Sequence, residues 1–180
     1  MTFARLTRGH AVAVVAALAL LLVMALDWYG TQAGDDARRI ERQTTPSGAA
    51  AGEVSRAEKR DARIVADRAE QNAWQAEPLA DRVILFALLA AIALAVAAAW
   101  LRAANVRFKP PWTPSALATV VGLVAVLLLA GRIAQKPSAE VGAVVKLGAP
   151  LGLVCAGALT LGSRAAWRAE REASAEPTAV

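Results

Sequence analysis

Residues 83–101 read VILFALLAAIALAVAAAWL, nineteen positions with no charge and only the Trp100 indole as a polar group. A helix rises ~1.5 Å per residue, so the run covers about 28 Å, close to the hydrocarbon thickness of a bilayer. Three further uncharged apolar stretches have nearly the same length: Ala11–Leu26, Ser115–Gly131 and Leu147–Ser163. The sequence therefore predicts an all-α fold, a transmembrane four-helix bundle running up-down-up-down. Residues 1–180 form a single membrane domain. Spans are expected at about 9–28, 79–101, 115–133 and 141–163, with a partly helical polar loop at 29–78 and a tail at 164–180.

Composition agrees. The hydrophobic share is 57%, above the 45–50% or so of soluble domains. The net charge of +5 arises in short segments flanking the apolar runs, and between Asp27 and Arg82 eleven acids face nine bases. Basic flanks are what membrane orientation uses, so no nucleic-acid partner is expected; the partner is the lipid bilayer. Cys155 and His10 each occur once. That rules out an intrachain disulfide and a histidine cluster for metal.

The N-terminal segment carries Arg5 and Arg8. The connection after the second run carries Arg102, Arg107 and Lys109, and the tail opens with Arg164, Arg168 and Arg171. All three fall on one side of an up-down bundle, and the positive-inside rule makes that side cytoplasmic. The 29–78 loop is then external to a cytoplasmic membrane. Trp28, Tyr29, Trp74, Trp100, Trp112 and Trp167 lie near span ends, where amphipathic rings anchor at the interface. A retained first span is favoured over a cleaved signal peptide. Its apolar run is long for a signal h-region, and Asp27, Trp28 and Tyr29 follow directly.

Within the loop, Thr44-Thr45-Pro46-Ser47-Gly48 breaks helix. The stretch from Glu53 to Trp74 is rich in Ala, Glu, Arg and Lys and predicts a polar helix.

Four charges mark the outer ends of the spans: Asp27, Asp81, Arg132 and Lys146. Asp81 at the start of span two and Arg132 at the end of span three complement their helix dipoles. Asp27 and Lys146 oppose theirs, at the neighbouring ends of spans one and four. That placement predicts that Asp27 and Lys146 pair. In span four, Gly148, Gly152 and Ala156 form a small-residue stripe suited to close helix packing, and Pro150 predicts a kink beside Lys146.

Phosphate loops, HExxH, CxxC and nucleophile elbows are absent from the sequence, and no convincing strand appears. No catalytic residue, cofactor or metal ligand is expected.

Several short motifs recur together. They are Trp28-Tyr29 after span one, Trp74-Gln75-Ala76 before Asp81, Gly131-Arg132-Ile133 with Pro137, and Lys146-Leu147-Gly148-Ala149 with Gly152. In these the chain resembles small four-span integral membrane proteins of high-GC bacteria. It departs from them at Asp27, where a Pro often stands, and at Glu77, where an aromatic does. The resemblance implies a topology and a set of positions, not an activity.

The expectation for function is a non-enzymatic integral membrane protein, structural or accessory, whose external loop docks another membrane or envelope protein. The alternative is a subunit of a small oligomeric transporter or channel built from copies of this chain.

Overall fold

The computed structural model describes residues 6–43, 60–65, 71–75, 79–106, 113–135 and 143–175. The element order is α1 (Arg8–Val23), β1 (Asp27–Thr31), α2 (Gln32–Gln43), β2 (Gln71–Asn72) with a 3-10 turn at Ala73–Gln75, α3 (Leu79–Ala103), α4 (Pro114–Gln135), β3 (Ala143–Val145) and α5 (Gly148–Ala175). The fold is mostly helical. Three helices, α3, α4 and α5, are long and apolar enough to cross a membrane, and α1 is a shorter apolar helix of 16 residues. Of the polar helix expected from Glu53 to Trp74, residues 60–65 are helical and 71–75 form β2 and the 3-10 turn. The parts at 53–59 and 66–70, together with Trp112, Pro137 and Gly142, lie outside the described residues.

Helix starts follow local chemistry. Thr7 caps α1, its hydroxyl accepting from the His10 amide at 3.5 Å. Thr113 caps α4 by accepting from the Ala116 amide at 3.3 Å. Pro114, at the first position of α4, lacks an N–H that would have no partner there. Helix α3 stops in a Schellman turn. The Val106 amide donates to Leu101 O at 3.0 Å and the Asn105 amide to Arg102 O at 3.1 Å. Asn105 sits at φ 60°, a conformation that Asn tolerates and Ala does not. Asn105→Ala is expected to cost about 1 kcal/mol and Asn105→Gly nothing, as read by thermal unfolding in detergent.

The packing is inside-out relative to a soluble protein. Buried positions are dominated by Ala, among them Ala13, Ala17, Ala95, Ala118, Ala125 and Ala156, with Leu20, Leu88, Leu129 and Leu159 between them. The larger apolar side chains Val15, Leu18, Leu22, Phe86, Leu127 and Leu161 are exposed. Small residues let helix backbones approach, and bulky apolar ones suit contact with lipid.

Helices α1 and α5 form the most extensive contact and run antiparallel; α4 packs on α3 and on α5. The α1–α5 crossing depends on glycine. A Cβ on Gly9 would stand 2.5 Å from Ala166 N and 2.9 Å from Gly162 O, both backbone atoms that cannot swing away. Gly9→Ala must therefore push the helices apart and is expected to cost about 2 kcal/mol. Gly157→Ala is the control. It meets nothing within 4 Å and should stabilise by about 0.5–1 kcal/mol through helix propensity. Paired unfolding curves check both.

Three features depart from the sequence reading. First, residues 27–31 do not extend the first helix. They form β1, the centre of a small antiparallel sheet ordered β2-β1-β3, with Tyr29 opposite Val145 and Thr31 opposite Ala143. The strands are too short, and too close to apolar runs, to leave a period-two pattern. Second, the expected fourth span begins as β3, and α5 starts only at Gly148. Third, no helix runs through Lys146 for Pro150 to kink, because α5 begins at Gly148. Pro150 lies in the first turn of α5, where its missing N–H leaves no hydrogen bond unmade.

Candidate functional site

Polar residues gather at both ends of the helices. At the end carrying the sheet, Asp81 in the first turn of α3 meets Arg132 in the last turn of α4. Arg132 Nε donates to Asp81 Oδ1 at 2.6 Å and its second guanidinium nitrogen to Oδ2 at 2.8 Å. This fork-to-fork geometry is the strong form of the pair. Tyr29 reaches the same site from β1, with Arg132 Cζ 6.0 Å from its ring centre. Burial, and then the Asp81 carboxylate, push the Tyr29 phenol above its ordinary range, while Arg132 pulls it back. The phenol therefore stays protonated.

Beside this pair lies a cavity of about 20 Å³, lined by Trp28, Tyr29, Asn72, Ala73, Asp81 and Leu88 among others. It has room for roughly one water molecule, which is too little for an organic substrate.

Trp28 is not an interfacial anchor. It is 3% exposed, lying across α5, where a Cβ on Gly152 would stand 2.7 Å from its ring and one on Gly148 2.6 Å. Its indole N–H donates to Val23 O at 2.9 Å, satisfying a carbonyl at the end of α1. Gly148, Gly152 and buried Ala156 thus lie along the α5 face turned towards α1 and β1.

The Lys146 ammonium meets Asp35 Oδ1 at 2.5 Å. Asp35 stands in the first turn of α2, where a carboxylate complements the dipole. Gly30 makes the reach geometrically open: a Cβ there would lie 2.5 Å from Lys146 Cε. Asp27 is exposed at the head of β1, opposite Asn72. Asp35 carries no sequence signal as a partner, because the turn that brings α2 back over β1 depends on the Thr31 cap on Gly34 and on the sheet.

The other end holds a cluster that the sequence did not single out. His10, 1% exposed, lies between α1, α4 and α5. Its Nδ1 is 2.7 Å from the Thr7 hydroxyl, and its Nε2 is 3.3 Å from Glu170 Oε1 without hydrogen-bond alignment. The Ser115 hydroxyl donates to the same Glu170 oxygen at 2.6 Å. Serine thus addresses the carboxylate and not the imidazole, so this is no nucleophile-and-base relay. It ties three helix ends together. The signal for it was helical drift. On α5, Ser163, Ala166 and Glu170 continue the buried face of Gly152, Ala156 and Leu159. Reading 164–180 as a tail hid that continuity.

The remaining ring positions differ in setting. Trp74 and Trp100 are exposed, Trp100 by 60%. Trp167 is half-buried, with Arg171 Cζ 5.4 Å from its ring centre. Among the described residues no group of three or more His, Cys, Asp or Glu side chains is placed to hold a metal ion. No protein-family model, curated protein or solved structure matches this chain.

Proposed function

We propose that the chain is a four-span integral membrane protein of the bacterial cytoplasmic membrane, with both termini cytoplasmic. Its role is non-enzymatic and accessory, and the external segment 29–78 docks another membrane or envelope protein. Membership among the small four-span proteins of high-GC bacteria goes with this reading. The case for a fourth span rests on α1. Its exposed Val12, Val15, Leu18 and Leu22 run the length of the helix, an apolar face of the kind lipid covers.

The docking reading rests on one observation, the sheet at the base of the external segment. β1 leaves α1, β2 enters α3, and β3 precedes α5, so both ends of the segment are fastened to each other and to a third helix. Asp81–Arg132 and Lys146–Asp35 fasten it further. A segment so seated holds a partner at a fixed position above the bilayer.

Photo-crosslinking residues placed at Ile64 and Val65, both exposed, test this in native membranes. A discrete adduct with a different protein is the expected result. Adducts between copies of the chain alone would favour the oligomeric transporter or channel. No adduct would count against docking.

A further inference from the structure

We propose that the outer face of α5 between residues 161 and 172 binds the headgroup of an anionic glycerophospholipid. The inference rests on the reading that α5 crosses the bilayer.

Val154 and Leu161 stand exposed along α5, with exposed Leu147 just before its start. They form an apolar ridge on the face turned away from the other helices. Beyond Leu161 that ridge changes character. Arg164 and Arg168 follow at helical spacing, and with Leu161, Ala165, Ala169 and Glu172 they line an open groove of about 370 Å³. Ala165 and Ala169 keep its floor shallow.

The two arginines differ from the basic residues at the opposite end. Arg132 and Lys146 are each held by an aspartate. Arg164 and Arg168 are exposed and have no ion-pair or hydrogen-bond partner among the described residues. Two guanidiniums one turn apart at the edge of a hydrocarbon-facing ridge match a phosphodiester in charge and in depth. Arginine forks recognise phosphate oxygens two at a time. Arg164 is three residues past Leu161, about 4.5 Å farther along the axis, and Arg168 about 10 Å. That is the level at which a headgroup phosphate sits above its acyl chain. The chain then lies along Leu161 and Val154. Glu172, one turn beyond Arg168, supplies an acceptor for headgroup hydroxyls.

The test uses the full chain in nanodiscs of equal phosphatidylglycerol and phosphatidylcholine, with lipid adducts counted by native mass spectrometry. The wild type is expected to retain phosphatidylglycerol over phosphatidylcholine. The Arg164→Gln/Arg168→Gln variant should lose roughly tenfold or more of that preference. Arg164→Lys/Arg168→Lys should keep only part of it, because the charge remains but the forked contact to two phosphate oxygens is lost. Both side chains are exposed, so thermal unfolding in detergent should be unchanged. An equal preference in the glutamine variant, or none in the wild type, overturns the site while leaving the membrane reading intact. Failure of the chain to insert into nanodiscs overturns both.

Discussion

Trp28→Ala is expected to destabilise the protein by about 3–5 kcal/mol, the cost of removing a large buried aromatic from a close-packed site. Three elements meet on this ring. Its indole N–H closes the Val23 carbonyl at 2.9 Å, its face lies on Gly148 and Gly152, and its own carbonyl accepts from the Lys146 amide at 2.9 Å. The alanine variant keeps the backbone bond and loses the other two. Glycines 148 and 152 are adapted to the ring and have no side chain with which to refill its volume. Trp28→Phe separates the contributions. It keeps most of the packing and loses the indole bond to a Val23 carbonyl that still accepts from the Leu26 amide at 3.1 Å, so a smaller loss of about 1 kcal/mol is expected. Equilibrium unfolding in detergent measures both. Equal losses for the two variants would mean that packing on α5 contributes little.

Breaking the Asp81–Arg132 pair has the second largest expected effect. Both side chains are mostly buried, 15% and 18% exposed. Asp81→Ala leaves a guanidinium without its two hydrogen bonds in a poorly solvated place, at an expected cost of about 3 kcal/mol. Adding Arg132→Ala removes the orphaned charge. The double variant should then be less destabilised than the sum of the singles by about 1.5–3 kcal/mol. Additive losses would show that the two side chains stabilise the fold independently. Salt should change this coupling little, because a mostly buried pair is weakly screened.

These two sites show what was legible in the sequence. Asp81 and Arg132 were readable as rim charges because each complements its own helix end, a property of a single helix. Trp28 was readable as an aromatic at a span end, but not as a buried one. Its burial depends on glycines 120 residues farther along the chain and on a strand that leaves no periodic trace. Lys146 shows the same limit. Its opposition to the α5 dipole lost its force because α5 begins after it, and one partner that the structure shows is Asp35, on a helix within a stretch read only as part of a polar loop. The His10–Ser115–Glu170 cluster was hidden for a different reason. Its members are spread over three helices, and each looks ordinary alone. Apolar length, in contrast, is a property of consecutive residues, and it located α3 and α4 to within two positions; α5 differs at both ends, its start displaced by β3 and its end carried on to Ala175 through the stretch read as a tail.

The central claim is that α1 crosses the membrane beside α5, and sidedness of labelling tests it most directly. In a Cys155→Ala background, single cysteines are placed at Leu6, Val65 and Ala104, all outside the helices that are read as spans. A membrane-impermeant maleimide is then applied to intact cells. The account predicts labelling of Val65→Cys from outside, with Leu6→Cys and Ala104→Cys labelled only after permeabilisation. Labelling of Leu6→Cys from the same side as Val65→Cys would contradict it, because α1 would then not cross.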